Sequence, residues 1–143
     1  MTHEALGLDR IESPIGTLWI AFDSRARLWA VDFEECEARL RSLLHTQHGR
    51  SDALPSARAP RAVRDAFARY FAGELTALDA LEVHAGGRAF QRRVWTALRA
   101  IPAGTTLAYG ELAHALGRPT ASRAVGHANG SNPLGIVVPC ATA

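Results

Sequence analysis

The chain has 143 residues, enough for one ordinary domain or two small ones sharing a core, and 48% of them are hydrophobic against 21% charged. No apolar run approaches the roughly 18 residues that a membrane span needs, and the opening MTHEALGLDR has no secretory pattern, so the expectation is a cytoplasmic protein with no membrane partner. The net charge of +2 hides an asymmetry: Met1 to His84 carries 10 Arg against 13 acidic residues, whereas Ala85 to Ala143 carries 6 Arg against one acid, Glu111. A basic second half fits a polyanionic partner.

In chain order, Arg10 to Ser13, Thr17 to Phe22 and Arg27 to Phe33 read as successive strands. The turn-like stretches Pro14-Ile15-Gly16 and Asp23-Ser24-Arg25-Ala26 separate them, and Trp19 and Trp29 supply bulk to the sheet. Glu35 to Thr46 has helical composition with Leu40, Leu43 and Leu44 on one side, and His48 to Ala59 reads as a loop. Pro60 suits a helix start, and Arg61 to Phe71 then presents Val63, Phe67, Tyr70 and Phe71 inward. Leu75 to Gly87 reads as a linker, which places the division between residues 1–84 and 85–143. Ala89 to Ala100 is helical, with Phe90, Val94, Ala97, Leu98 and Ile101 along one face. Tyr109 to Leu116 is a shorter helix ending at Gly117, a natural left-handed cap position. Gly117-Arg118-Pro119 leads into a second short helix, and two such helices joined by a tight turn form a helix-turn-helix.

That second helix has two different faces. Ala121, Ala124, Val125 and Ala128 fall at i, i+3, i+4 and i+7, an apolar stripe suited to docking on the body of the protein. Ser122, Arg123, Gly126, His127 and Gly130 form the other face, nearly bare of bulk, with one long cation. Such a surface suits close approach to a nucleic-acid backbone. Asn132-Pro133 closes the helix, Gly135-Ile136-Val137-Val138 is a β-branched run expected to form a buried strand, and Pro139-Cys140 stops it.

The two cysteines, Cys36 and Cys140, are too few for a disulfide framework and fit a reducing compartment. Cys36, in Glu34-Glu35-Cys36-Glu37, has acidic neighbours that suit a structural thiol better than a nucleophile. His45 and His48 follow Cys36 at a spacing that matches no standard zinc pattern, so no metal site is expected. A thiol held behind Pro139 at the end of an apolar run is the better candidate nucleophile.

Phe90-Gln91-Arg92-Arg93-Val94-Trp95, Leu107 to Ala113 (LAYGELA), Ser122-Arg123-Ala124-Val125-Gly126, Asn132-Pro133 and Val138-Pro139-Cys140 together resemble the signatures of the O6-alkylguanine-DNA alkyltransferases. The likeness is strong from Ala89 to Cys140 and weak before it. It implies an α/β (α+β) fold: an N-terminal ribonuclease-H-like sheet-and-helix domain, then a C-terminal winged-helix domain with the helix-turn-helix. It implies direct repair of DNA, with one alkyl group passed from O6 of guanine to Cys140 and no cofactor. The partner implied is double-stranded DNA containing O6-alkylguanine, bound through its minor groove by a monomer. By the same resemblance Arg123 fills the space left by an extruded guanine, and Tyr109 helps rotate the nucleotide and donates a hydrogen bond to the flipped base. Asn132 is the hinge residue that braces the strand carrying the cysteine, and Ser122, Ala124 and Gly126 form the small face set into the groove.

The chain departs from that pattern after Cys140. The family continues with His-Arg-Val, and its His, through a water and a later Glu, helps make the thiolate. Here Ala141-Thr142-Ala143 follow, so the expectation is a chain truncated just after Pro-Cys. The alternative reading is a catalytically weak or dead DNA-binding, lesion-sensing winged-helix module.

Overall fold

The computed structural model describes residues 4–102 and 108–138. Its first feature is a hairpin: β1 (Leu6–Ser13) and β2 (Gly16–Asp23) pair from Leu6 opposite Asp23 to Ser13 opposite Gly16. Gly16 takes φ +130°, open to glycine without strain, and Ser13 Oγ donates to its carbonyl at 2.6 Å. β3 (Leu28–Phe33) adds antiparallel to β2, giving the order β1-β2-β3. The β2–β3 turn is organised by buried Asp23, whose carboxylate accepts from the Arg25 and Arg27 backbones, from Arg27 Nε at 2.7 Å and from Trp29 Nε1 at 2.9 Å. Burial works to raise this carboxyl; the bonds from Trp29, Arg27 and Arg25 outweigh it and hold it below the usual carboxylate value.

Both faces of the sheet are covered, which is why β2 and β3 are nearly continuous in apolar residues. Leu6, Leu8, Ala21, Trp29 and Ala30 meet Leu40 and Leu44 of α1 (Glu37–His48), which a 3-10 turn at Glu34–Cys36 precedes. Gly49, at φ +67°, caps α1 in the left-handed conformation that glycine favours. The opposite face, with Leu18, Ile20, Phe22 and Val31, packs on α2 (Arg61–Phe71) and on the second half of the chain. That half contributes α3 (Ala89–Arg99), α4 (Tyr109–Ala115) and α5 (Ser122–Gly130). One continuous core runs from Leu18 and Val31 through Phe67 and Trp95 to Val125 and Leu134, across the division expected at 84/85.

Neither edge of the sheet is left bare. Leu8 of β1 exchanges backbone bonds with Pro55 and Ala57, so part of the expected 48–59 loop runs as a parallel addition to that edge. On the β3 edge, Leu28 bonds to Glu82 and His84, and Val31 bonds to Pro133 and Gly135. The expected 75–87 linker is therefore built into the fold, with a 3-10 turn at Ala77–Ala80 and with Ala77, Leu78 and Leu81 buried.

Three expectations are corrected. The run 135–138 is not a strand: after the single bridge of Leu134 to Val31, residues 135–137 turn, with Val137 N–H bonded to Gly135 O and Val138 N–H to Leu134 O. Ile136 stands at φ +73°, rare and strained for a β-branched residue, while Leu134, Val137 and Val138 stay buried. β-Branching therefore marked burial and not a strand. Ala124 is exposed, so the buried stripe of α5 is Val125 and Ala128 with Ala121 partly covered. The buried face of α3 is Val94, Trp95 and Leu98, with Phe90, Ala97 and Ile101 only partly covered.

Candidate nucleic-acid interface

α5 is held from behind by its two inward residues and by the α3 tryptophan. Val125 and Ala128 are essentially fully buried, and Trp95 Nε1 donates to Ala128 O at 2.8 Å. The outward face then consists of Ser122, Arg123, Ala124, His127 and Gly130, all exposed. Arg123 makes no ion pair among the described residues. It is a long cation on a face whose other exposed residues are Ser122, Ala124, His127 and Gly130.

Gly126 is not simply part of that bare surface. The Tyr109 ring lies across it: a Cβ on Gly126 would stand 2.9 Å from Tyr109 Cε2 and 3.2 Å from Cδ2. Tyr109 is the first residue of α4 and half-buried, and its hydroxyl oxygen accepts from Asn129 Nδ2 at 3.2 Å. Tyr109, Gly126 and Asn129 thus form one contact between the two helices of the helix-turn-helix. Glu111 supports the start of α4 by accepting from the Ala108 N–H at 3.3 Å.

Asn132 is buried and uses both ends of its amide. Its Oδ1 accepts from Leu134 N–H at 2.9 Å, and its Nδ2 donates to Val138 O at 2.6 Å. The side chain therefore spans the whole 134–138 turn, fixing it at both ends. Pro139 and Cys140 follow directly in sequence and lie outside the described residues, as do Ala141-Thr142-Ala143.

The junction behind α5 contains residues that the sequence reading did not single out. Three successive carbonyls at the end of the helix accept from α1: Arg39 Nη2 donates to Gly130 O at 2.7 Å and to Asn132 O at 3.2 Å, and Gln47 Nε2 donates to Ser131 O at 2.8 Å. Arg39 Nη1 also pairs with Asp32 of β3 at 2.9 Å. A cation at a helix C-terminus is favourable because the exposed carbonyls carry partial negative charge. Arg93 does the same for α4, donating to Leu116 O at 2.9 Å. Arg99 donates to the carbonyls of Leu78, Asp79 and Leu81.

A second polar cluster lies between α1 and the 82–87 segment. The rings of His48 and His84 pack on Trp29 with centroids 4.5 and 4.6 Å away. Burial, then the neighbouring His84 and Arg50, pushes His48 down to a pKa of about 4. His45 instead bonds to Ser51 Oγ through Nδ1 at 2.7 Å, and the free thiol of Cys36 is half-buried. Among the described residues no group of three or more His, Cys, Asp or Glu side chains is placed to hold a metal.

The sequence family described as the ribonuclease-like domain of 6-O-methylguanine DNA methyltransferase matches residues 9–85, and its DNA-binding domain matches residues 89–141. The methylated-DNA--protein-cysteine methyltransferase of Salmonella typhimurium is 48% identical over 134 residues, covering 92% of this chain and 78% of the relative. This chain belongs to the 6-O-methylguanine DNA methyltransferase family. The Mycobacterium tuberculosis relative of the same name is 43% identical over 131 residues, covering 91% of this chain and 73% of its own. In structure, the chain is similar to Mycobacterium tuberculosis OGT in complex with DNA, with a TM-score of 0.76, 40% identity, and coverage of 94% of this chain and 75% of the other. It is also similar to the O6-methylguanine-DNA methyltransferase of Pyrococcus kodakaraensis, with a TM-score of 0.66, 27% identity, and coverage of 94% and 83%. The family is one of DNA alkyltransferases acting in direct repair, and the mixed α/β architecture with its C-terminal helical part is the one expected from the sequence. No helix among the described residues is long and apolar enough to cross a membrane.

Proposed function

We propose that this chain repairs DNA directly, taking an alkyl group from O6 of guanine onto Cys140 in a single displacement, once per molecule. The carrying observation is the contact of Tyr109 with Gly126 and Asn129 beside the exposed Arg123, which sets a phenol and a lone cation on one bare face. The partner is duplex DNA with O6-alkylguanine, entered from the minor groove by residues 85–143 acting as a unit, while residues 1–84 serve as scaffold. A single subunit and a reducing, cytoplasmic setting suit an acceptor thiol that must stay free.

The chemistry follows from where the alkyl group sits. O6 lies within the base stack, so the nucleotide must turn out before a protein thiol reaches the alkyl carbon, at a cost of a few kcal/mol. Arg123 offsets part of that by occupying the vacated stack, Ser122 and Ala124 let the helix approach closely, and Gly126 makes room for the Tyr109 ring. The Cys140 sulfur then bonds to the alkyl carbon as the carbon–O6 bond breaks; the electron pair stays with guanine, which takes up a proton. Tyr109, donating a hydrogen bond to the base, stabilises the charge that develops on it. Asn132 holds the 134–138 turn from which the thiol segment leaves.

Ala141 stands where the family resemblance calls for His, and a methyl group cannot help form the thiolate. A thiol of ordinary acidity is only a few per cent ionised near pH 7, so transfer is slow. The second reading is a module that binds the lesion without repairing it. Intact mass after incubation with O6-methylguanine duplex separates the two. Transfer adds one methyl group, mapped by digestion to Cys140 and not Cys36, at a rate that climbs as pH approaches about 8.5. Lesion binding without the mass increment selects the binding module, and loss of both defeats the function.

A further inference from the structure

We propose that Asn129 is a positioning residue for Tyr109: by donating to the phenolic oxygen it leaves the phenol's own hydrogen free for an extruded base. The inference rests on the reading above, in which Tyr109 meets the flipped guanine.

The Asn129 Nδ2 to Tyr109 Oη bond, 3.2 Å, crosses from α5 to α4. Asn129 follows Gly126 by three residues, so both lie on the same side of α5. The ring rests over Gly126, where any Cβ would intrude, and its oxygen ends at Asn129. The phenol is thereby fixed at two points on the helix that also carries Arg123.

The direction of the bond matters. A phenol has one hydrogen to donate and lone pairs to accept with, whereas an amide NH2 group only donates. Paired with that group, Tyr109 accepts, and its hydrogen points elsewhere. A hydroxyl that accepts one hydrogen bond becomes the stronger donor in the next, because each bond polarises its neighbour. An acceptor at position 129 would instead capture the hydrogen that the base requires. Asn129 therefore sets which way the phenol donates, while itself remaining off the substrate.

The test compares Asn129→Ala and Asn129→Asp with the parent chain, each also combined with Tyr109→Phe. Fluorescence anisotropy measures affinity for a duplex carrying one O6-methylguanine and for the same duplex with guanine. Asn129→Ala should lose about fivefold in preference for the lesion, with Asn129→Asp losing more and plain-duplex affinity unchanged. In the Tyr109→Phe background neither change should cost anything further. The Raman Fermi doublet of Tyr109, isolated by subtracting the Tyr109→Phe spectrum, should move away from its acceptor pattern in Asn129→Ala. An unmoved doublet, or an equal loss of affinity for both duplexes, overturns the proposal. Should Tyr109→Phe itself keep the full lesion preference while the doublet still moves, the bond exists but the role of Tyr109 is wrong, and the proposal falls with that role.

Discussion

Tyr109 lies against Gly126 so closely that a methyl group on Gly126 would stand 2.9 Å from its Cε2. Two effects oppose each other in Gly126→Ala. Helix propensity favours Ala over Gly by about 1 kcal/mol, whereas overpacking costs about 1–3 kcal/mol. The clashing atoms belong to a ring that can swing aside, so net stability should fall by no more than about 1 kcal/mol. Lesion-dependent DNA binding should fall much further, since the ring no longer lies where Asn129 reaches it. Gly110→Ala is the control: its Cβ meets nothing within 4 Å, so it should be neutral or stabilising by up to about 1 kcal/mol. Urea midpoints and DNA anisotropy on the two variants check this, and matching behaviour of both would remove the packing role given to Gly126.

Much of this arrangement was legible in local sequence. Pro60 started α2 and Gly117, at φ +77°, followed α4, because both residues restrict or permit backbone angles whatever surrounds them. The exposed set on α5 was equally readable from spacing, apart from Ala124, which is exposed, and Gly126, which the Tyr109 ring covers. Contacts across the chain were not. Arg39 lies 91 residues from Gly130, and nothing near it in sequence marks it as a cap for α5. The 135–138 run misled because β3 already takes its backbone bonds at residues 133 and 135, and the Asn132 amide then folds the remainder into a turn. Trp95 was missed because one residue of helical rotation separates it from the stripe through Val94 and Leu98.

Arg39 joins α1, β3 and the end of α5 through one guanidinium, and the Lys ammonium lacks that planar fork. The side chain is 40% exposed, so solvent screens the pair with Asp32 and the carbonyl bonds carry most of the effect. Arg39→Lys should cost about 0.5 kcal/mol and Arg39→Ala about 1 kcal/mol. The Ala variant should also speed proteolysis within the 130–138 segment before the sheet yields. Urea titration and limited proteolysis with mass mapping measure both, and uniform cleavage along the chain would argue against a local clamp.

Removing the Asn132 amide strands two buried groups, the Leu134 N–H and the Val138 carbonyl. Each unsatisfied group costs about 1–3 kcal/mol, so Asn132→Ala should destabilise by about 2–6 kcal/mol, more than either Arg39 change. Asn132→Asp keeps the acceptor for Leu134 but turns the donor toward Val138 O into a second acceptor, so it should rescue little. Thermal unfolding of the two variants tests the ordering; an Asp variant as stable as the parent would mean the Val138 bond contributes nothing.

His48 should make the fold acid-sensitive in a defined window. Its ring stacks on Trp29 and lies 5.7 Å from that of His84, with Arg50 over the same tryptophan. Burial, then His84 and Arg50, lowers it to about 4 from an unfolded value of 6.5. His84 is lowered as well, by burial and Arg27, with Asp23 and Glu4 opposing. Between the two values the unfolded chain holds a proton that the native chain refuses. The His48 contribution is therefore fully present above pH 6.5 and is lost as pH falls toward 4, by on the order of 2 kcal/mol after solvent screening. Asp23, lowered from 3.8, loses its contribution only below that value, so it does not account for a change at higher pH. Urea midpoints at about pH 7.5 and about pH 4.5 read the difference. His48→Phe keeps a ring on Trp29 without a titrating nitrogen, so its midpoints should differ less, with His84 supplying the remainder. If the parent and His48→Phe lose the same stability across this range, the acid sensitivity lies outside the histidine stack.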